Sequence, residues 1–305
     1  MTDQALNIDG HEIAVSNRDK VFFPESGLTK GDLIDYYRRI ADVALPHLRG
    51  RPVSMHRFPD GIGKSGFFQK NIPDYFPQWI ERKTLEKEGG SVTHVVVNNA
   101  ATLVYLADQG CITPHIGLSR VDRIDTPDRL VFDLDPSDDD FAKVQGAARK
   151  VRAVLDELEF DSFVQTTGSR GLHVVVPLDR RAGFDEVRRF ARRLAAHLAG
   201  RYPEELTVEQ RKAARGPRVF VDYLRNGYAQ TTVAPYAVRA IEGAPVAAPL
   251  TWPEALAEGM SPRKYTIQNI FRRLAQKEDP WAGIDRKARS IAHARNRIVA
   301  MHRES

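Results

Sequence analysis

The sequence has 305 residues, of which 42% are hydrophobic and 28% charged, and its formal net charge is +5. This composition is ordinary for a globular protein, and because no run of about 18 apolar residues occurs, we expect no membrane span. Cys111 is the only cysteine, which excludes an intrachain disulfide and argues against a cysteine-based zinc site, and the absence of a secretion-signal pattern at the start favours a cytoplasmic location.

Short apolar strands alternate with amphipathic helices along the chain. The first helix is predicted after Thr29, because Leu33, Ile34 and Tyr37 share one face and Asp32 stands at the capping-box position. In chain order, we predict strands at 53–58, 92–97, 112–118, 130–135, 163–166, 172–176, 219–224 and 230–233. Further helices are predicted at 100–108, 141–157, 184–199 and 268–277. From residue 112 onward, this order predicts an α+β fold with helices on one face of a largely antiparallel sheet.

Asp133 and Asp135 lie two residues apart on the predicted strand 130–135. Side chains alternate across a strand, so both carboxylates face one way, with Cα atoms about 7 Å apart, while Phe132 and Leu134 face the other. Neighbouring carboxylates repel each other and resist desolvation, and a hard cation such as Mg²⁺ or Mn²⁺ between them removes that difficulty. The alternative is a strand end whose acids cap the following turn and helix.

Asp222 supplies a third carboxylate on a second apolar strand, where aspartate is uncommon because its strand propensity is poor. Three carboxylates from two strands suit a two-metal cluster, in which cations about 3.5–4 Å apart clamp the oxygens of a phosphoryl transfer. The alternative for Asp222 is a structural acid paired with Arg225 or Arg218.

Gly168 and Gly171 bracket Ser169 and Arg170 in a predicted tight turn that leads into a strand beginning near His173. Such a turn can present backbone N–H groups, a hydroxyl and a guanidinium to phosphate oxygens, and the histidine can add a donor. The alternative is a plain hairpin turn with a packed histidine.

Basic and aromatic residues add weaker signals. Arg225 and Arg239 follow the third acid and can contribute positive charge to the same site. The alternative for each is an ordinary arginine on the protein surface. Phe67 and Phe68 stand beside basic residues, so exposed rings there can stack on bases, although burial of at least one ring is the favoured interpretation. Residues 261–305 contain eleven Lys or Arg and four Asp or Glu. This segment suits a phosphate backbone, and a solvated helical face is the alternative.

With these residues assembled, the chain resembles the polymerase domain of bacterial ligase D, a member of the archaeo-eukaryotic primase superfamily. The resemblance runs from about residue 13 to residue 281, and residues 132–136, 167–173 and 221–225 match in order and approximate spacing. It implies a primase-type core of mostly antiparallel sheet flanked by helices, with an N-terminal α/β module packed against it. The implied single domain spans 1–305, with an N-terminal module (1–110), a catalytic core (111–250) and a basic C-terminal helical segment (251–305).

The resemblance implies a nucleotidyltransferase that extends a primer 3′ end opposite a template in end joining or gap repair, often favours ribonucleotides and uses two Mn²⁺ or Mg²⁺ ions. The implied partners are nucleoside triphosphates and DNA with gaps, breaks or overhangs, and the resemblance leaves open whether Ku and a DNA ligase bind the chain. The implied location is the cytoplasm, at the bacterial nucleoid. The implied roles are metal ligands (Asp133, Asp135, Asp222), triphosphate contacts (Ser169, Arg170, His173), nucleotide support (Arg225, Arg239), a sugar contact (His115), 5′-phosphate ligands (Lys20, Lys30), template stacking (Phe67, Phe68) and a primer-strand contact from loop 211–218 (Arg215).

The sequence departs from the family at His56, where related chains often carry lysine, and no ligase or nuclease module accompanies the matching region. The region is therefore either a piece of a longer protein or a free-standing relative, and a free-standing relative would fill excision gaps or prime synthesis instead of joining ends. Two alternatives from other classes are a haloacid-dehalogenase-type phosphatase, whose motif also begins with an apolar residue and Asp-x-Asp, and a non-catalytic DNA-end-binding module.

Overall fold

The computed structural model of the protein describes residues 4–87, 89–295 and 297–298. Within these ranges the strands are β1 (Gln4–Ile8), β2 (His11–Val15), β3 (Val21–Phe23), β4 (Leu28–Thr29), β5 (Pro52–Arg57), β6 (Phe67–Gln69), β7 (Arg82–Lys87), β8 (Gly90–Val96), β9 (Cys111–Gly117), β10 (Arg129–Asp135), β11 (Phe163–Thr166), β12 (Leu172–Pro177), β13 (Leu206–Thr207), β14 (Val219–Asp222), β15 (Thr231–Val233) and β16 (Pro249–Leu250). The α-helices are α1 (Lys30–Leu48), α2 (Ala100–Asp108), α3 (Phe141–Glu157), α4 (Phe184–Arg201), α5 (Trp252–Ala255) and α6 (Ile270–Leu274). Among the helices described, none has the length and apolar character needed to cross a bilayer.

All the predicted strands and helices are present, with small differences at their ends. Helix α1 begins after Thr29, whose hydroxyl accepts a hydrogen bond from the Asp32 backbone N–H, while the Asp32 carboxylate accepts one from the Thr29 N–H. This reciprocal pair confirms the predicted capping box. Strand β14 ends at Asp222, two residues before the predicted end, because Leu224 begins a 3-10 turn. Helix α6 covers only half of the predicted 268–277.

The described chain divides into two compact units whose segments interleave in the sequence. The first comprises residues 1–122, 231–247 and 265–277, and the second comprises 123–230, 248–264 and 278–305. The division predicted from the sequence is contiguous instead, with limits at 110 and 250. The carboxylates of the predicted metal cluster all belong to the second unit.

The first unit contains a mixed α/β arrangement around helices α1 and α2, which pack together. In its described residues, a sheet runs in the order β15-β9-β5-β8-β7, with β6 paired to β5 and every pairing antiparallel. Strands β1 and β2 form a separate antiparallel hairpin that was not predicted, and β3 pairs with β4. Tyr37 links α1 to β9, because its buried hydroxyl donates a hydrogen bond to the Ile112 carbonyl at 2.6 Å.

The second unit contains the sheet that positions the carboxylates. Its described strands run in the order β13-β14-β10-β12-β11-β16, antiparallel except for the β13–β14 pair. Helices α3 and α4 contact each other and the central strands. This arrangement confirms the predicted α+β fold of a largely antiparallel sheet with helices on one face.

Three cations of the basic C-terminal segment form ion pairs with acids of the second unit. Lys287 pairs with Asp161 at 3.7 Å, and Arg295 and Arg297 pair with acidic side chains at 2.7 Å each. Arg303 and Glu304 lie outside the described residues. Charge counted from the sequence therefore overstates the cationic surface that this segment offers to a phosphate backbone.

Candidate active site

Asp133, Asp135 and Asp222 come together at the end of β10. The antiparallel register places Asp133 directly opposite Asp222 on β14 and opposite His173 on β12. One carboxylate oxygen from each of the three acids lies within 4.8 Å of the others. Asp133 and Asp222 are buried, at 9% and 6% exposure, whereas Phe132 on the opposite face of β10 is fully buried in the core. Three converging carboxylate oxygens are the donor set that a hard divalent cation prefers.

The carboxylates are electrostatically strained in the absence of a cation. Burial, followed by the charges of Asp133 and Asp222, raises the pKa of Asp135 to about 6. Interactions with His173 and with the guanidinium of Arg215 oppose this rise in the pKa without cancelling it. A cluster in which one carboxyl remains partly protonated near pH 6 is one that a bound cation would stabilise.

Arg225 provides part of the missing positive charge. Its Nε atom lies 3.6 Å from Asp222 Oδ2 and 3.8 Å from Asp133 Oδ2, and the side chain is 44% exposed. Burial raises the pKa of Asp222, while a 2.7 Å hydrogen bond from the Leu224 N–H and the guanidinium of Arg225 act to lower it. Because Arg225 approaches the acids from the solvent side, it is both an ion-pair partner and a group that can face an incoming nucleotide.

Arg215 lies against its own loop and close to the acids. Its Nε and Nη2 atoms donate to the carbonyls of Glu209 and Gln210 at 2.9 and 2.8 Å, and its guanidinium carbon lies 4.0 Å from the centroid of the Phe220 ring. Its charge lowers the pKa of Asp135 and of Asp222. In this conformation Arg215 holds the predicted primer-strand loop and adds positive potential beside the carboxylates.

The turn at 168–171 packs directly against β10. Gly168 has φ +65°, the left-handed region that glycine adopts most easily. A Cβ atom added to Gly171 would lie 2.2 Å from the Leu134 carbonyl oxygen, so only glycine permits this close approach. The Thr167 hydroxyl accepts hydrogen bonds from the backbone N–H groups of Ser169 and Gly171. Ser169 and Arg170 are thereby held beside the end of β10.

His173 is oriented by a residue that the sequence interpretation missed. Gln165 on β11 lies opposite His173 in the register, and its amide Nε2 donates to His173 Nδ1 at 3.2 Å. Because an amide nitrogen only donates, Nδ1 accepts and the ring hydrogen resides on Nε2. Nε2 lies 3.4 Å from Asp133 Oδ1. His173 therefore presents an N–H group toward the carboxylate cluster.

In the first unit, Lys20 and Lys30 are neighbours with different environments. The Lys30 N–H donates to the Lys20 carbonyl at 2.8 Å. The Lys20 side chain is 39% exposed and pairs with Asp60 at 2.5 Å. The Lys30 side chain is 7% exposed, lies 2.7 Å from Asp108 Oδ1 and donates to the Ser16 carbonyl at 2.7 Å. Both lysines therefore form ion pairs, but the pair of Lys20 is exposed to solvent, whereas the pair of Lys30 is buried.

Aromatic rings and histidines of the first unit form a second cluster. The His56 ring stacks on Phe68 at 4.1 Å with an interplanar angle of 3°, and Phe68 contacts His115 edge-on at 5.3 Å. Burial, followed by the charge of Arg239, lowers the pKa of His56. His56 is therefore a neutral ring that holds Phe68 in place, which is not the role a lysine would have here.

Phe67 and Phe68 are both exposed, at 46% and 59%. The predicted burial of at least one ring is therefore wrong. Arg57, which is buried, supports this surface: its guanidinium lies 5.7 Å from the Phe67 ring and donates to Gln69 and Tyr75. Two exposed rings on a short strand, fixed from behind, suit stacking on nucleic acid bases.

Comparison with known proteins gives the family. Residues 29–281 match the model described as LigD, primase-polymerase domain. The chain belongs to this family. It is 34% identical over 279 residues to the multifunctional non-homologous end joining protein LigD of Mycolicibacterium smegmatis, a match that covers 90% of this chain and 36% of that protein. The bifunctional LigD of Bacillus subtilis is 31% identical over 272 residues, covering 88% of this chain and 44% of that protein.

A solved structure supports the same assignment. The polymerase domain of Mycobacterium tuberculosis ligase D, determined in complex with DNA, superposes with a TM-score of 0.85 at 32% identity, covering 90% of this chain and 99% of that one. The resemblance, the primase-type fold and the assignment to the polymerase-type nucleotidyltransferases are confirmed. The phosphatase alternative is wrong, because it requires a parallel sheet and β10 is antiparallel to both neighbours. The chain spans about a third of the length of the LigD relatives first matched.

The carboxylate cluster gives the metal-free protein a testable pH dependence. The folded-state pKa of Asp135, about 6, lies above its ordinary value of 3.8. Between these values the folded state binds more protons than the unfolded state, so the free energy of unfolding falls as pH rises from about 4 to about 6 and then levels off. Asp135 should contribute on the order of 2 kcal/mol to this fall.

Urea unfolding with EDTA across this pH range measures the effect. Other acids also titrate there, so the informative quantity is the difference between the wild type and Asp135→Asn, in which the buried charge is absent. As pH rises, the free energy of unfolding of the variant should increase relative to that of the wild type. A difference that does not change with pH would contradict the assigned strain.

Gly171→Ala should separate the turn at 168–171 from β10. The added methyl overlaps the Leu134 carbonyl, so the backbone must shift, at a cost of about 1–3 kcal/mol in the free energy of unfolding. Gly200→Ala on α4 is the matched control, since nothing lies within 4 Å of its added Cβ. We expect the control to leave stability unchanged or slightly increased. Denaturant unfolding of both variants checks this expectation, and equal stabilities would refute the close packing.

Proposed function

We propose that this chain is a template-dependent nucleotidyltransferase that adds nucleotides to a primer 3′ end at DNA gaps, breaks or overhangs, with a preference for ribonucleotides. The observation that carries the proposal is the carboxylate triad beside the turn that presents Ser169 and Arg170. The names of the LigD relatives and the DNA bound to the M. tuberculosis domain support a role in non-homologous end joining. Ku and a DNA ligase are partners that this role would involve.

In this proposal, Asp133, Asp135 and Asp222 hold two divalent cations, Mn²⁺ or Mg²⁺. The strained carboxylate cluster supports this assignment, because a cation would relieve the repulsion that raises the pKa of Asp135. When bound, the cations would lower the pKa of the primer 3′-hydroxyl and neutralise charge on the leaving pyrophosphate. Ser169, Arg170 and His173 would then bind the triphosphate.

The protein's own donors suit the triphosphate. Arg170 is exposed and forms no ion pair with the described residues, so its planar guanidinium can bind phosphate oxygens in a bidentate manner. His173 carries its hydrogen on Nε2 and can donate to the same phosphates. Arg225 and Arg239 would support the nucleotide, and His115 would contact its sugar.

The remaining residues of the proposal bind DNA. The exposed rings of Phe67 and Phe68 would stack on template bases, and Arg215 would contact the primer strand. Lys20 and Lys30 would bind a downstream 5′-phosphate. The exposure of Lys20 supports its role, whereas Lys30 can reach a phosphate only if its ion pair with Asp108 opens or is shared.

The test is primer extension on a gapped duplex with a labelled primer, a recessed 5′-phosphate and Mn²⁺, comparing ribonucleotides with deoxyribonucleotides. We expect templated addition, with faster incorporation of ribonucleotides. DNA binding without any extension would overturn the proposal and favour a non-catalytic end-binding module. Extension in the absence of a primer, or equal use of gaps that lack a 5′-phosphate, would favour a primase or an excision-gap polymerase.

Lys20→Ala isolates the phosphate contact. Loss of a charge-assisted hydrogen bond should weaken binding to a 5′-phosphorylated gap about tenfold and leave binding to the unphosphorylated gap unchanged. Arg38→Ala, which removes an exposed cation from α1, is the matched control. Fluorescence anisotropy with the two gaps measures the ratio, and equal weakening on both gaps would remove the assigned role.

A further inference from the structure

The turn at 168–171, which we propose binds phosphate, accepts a hydrogen bond from an arginine that comes much later in the chain. Arg263 Nε donates a 2.9 Å hydrogen bond to the Ser169 carbonyl. Both residues belong to the second unit. Within the described residues, the two Nη nitrogens of Arg263 form no hydrogen bond or ion pair, and the residue is exposed. Only one of its nitrogen atoms is therefore needed to support the turn.

Arg263 and Arg170 line the same cavity, beside the metal-binding acids. The cavity has a volume of about 340 Å³, and its wall includes Pro136, the residue that follows Asp135. This volume is within the range of small-ligand sites, about 300–1,000 Å³.

The charges around the cavity favour an anion on the arginine side. Arg170 and Arg263 bring two guanidinium groups whose charges no ion pair in the described chain neutralises. Asp138 also lines the cavity, and its ion pair with Lys143 lowers the pKa of its carboxyl and neutralises its charge. Asp139 is the remaining acid of the wall. Paired guanidinium groups with free N–H donors match phosphate oxygens in charge and geometry.

We propose that Arg263 is a further phosphate ligand, which binds with Arg170 the outer two phosphates of the incoming triphosphate and then the pyrophosphate that leaves. This inference rests on the proposed function. In that reaction the primer 3′ oxygen bonds to the α-phosphorus, the bond between the α-phosphorus and the bridging oxygen breaks, and its electron pair stays with pyrophosphate, while the hydroxyl proton passes to solvent. Arg263 thus has two separable roles, one for Nε and one for the Nη atoms.

Arg263→Gln separates these roles, because the amide nitrogen of glutamine lies at the position of arginine Nε along the side chain. It can keep the hydrogen bond to Ser169, but it loses the charged donors that face the cavity. We expect its affinity for inorganic pyrophosphate in the presence of Mn²⁺, measured by calorimetry on the whole chain, to fall about 10- to 100-fold. The KM for nucleoside triphosphate should rise by a similar factor, whereas affinity for gapped DNA should not change.

Arg192→Ala, which removes an exposed cation from α4 of the same unit, controls for the loss of charge. Unchanged pyrophosphate affinity in Arg263→Gln, or an equal loss in Arg192→Ala, would overturn the inference. These outcomes are distinct from failure of the proposed function, which is the absence of primer extension by the wild type. If the wild type extends primers and Arg263→Gln binds pyrophosphate normally, only this inference fails.

Discussion

Asp133→Asn is expected to reduce primer extension by on the order of 10³-fold while leaving the protein folded and able to bind gapped DNA. Asp133 occupies the centre of the cluster, opposite Asp222 and His173 in the sheet register. Asparagine has nearly the same shape and replaces a charged oxygen ligand by a neutral amide. The effect should therefore fall on cation binding and on the reaction, and not on the fold.

The metal-free variant should be more stable than the wild type, because the charge of Asp133 raises the pKa of Asp135. Mn²⁺ should raise the melting temperature of the wild type and have little effect on the variant, since ligands that bind only the folded state stabilise it. Asp156→Asn is the matched control, since it changes an exposed acid on α3 that does not line the cavity or the carboxylate cluster. If Asp133→Asn still extended primers in Mn²⁺, the assigned metal ligands would be incorrect.

The parts of the fold that depend on local patterns could be predicted from the sequence. The capping box of Thr29 and Asp32 fixes the start of α1, and alternation along β10 places Asp133 and Asp135 on one face. The β1–β2 hairpin also had a local signal that the sequence interpretation missed. Asp9 and Gly10 both have positive φ and join two alternating segments, which is the strongest short-range mark of a hairpin.

Contacts between distant parts of the chain could not be predicted in the same way. Gln165 orients His173 because β11 and β12 pair in one particular register, and a shift of one residue would turn its amide to the other face. Arg263 supports a turn 94 residues away. The stack of His56 on Phe68 depends on the pairing of β5 with β6. The sequence was enough to predict which residues carry the chemistry. The contacts that support those residues could be found only from the tertiary structure.

The buried ion pair of Lys30 and Asp108 should produce the largest effect on stability. Their side chains are 7% and 4% exposed, with Nζ 2.7 Å from Oδ1, and Asp108 also accepts a hydrogen bond from the Ser16 N–H at 3.1 Å. Lys30→Met would leave Asp108 as a buried charge without its counter-ion. Such a change costs about 3–5 kcal/mol, and urea unfolding with an unchanged m-value would measure it. A loss of less than about 1 kcal/mol would place the pair in the weak class typical of exposed ion pairs.

The double variant Lys30→Met with Asp108→Leu determines whether Lys30 also binds the 5′-phosphate. Replacing both charges by apolar side chains removes the unpaired carboxylate, so most of the lost stability should return. The stabilised protein can then be compared with the wild type on phosphorylated and unphosphorylated gaps. If the preference for the phosphorylated gap is lost, the ammonium group of Lys30 acts on the ligand and shares its charge between Asp108 and phosphate. If the preference is retained, Lys30 only supports the loop from Ser16 to Lys20 through its hydrogen bond to the Ser16 carbonyl. The exposed Lys20 then makes the contact with the 5′-phosphate.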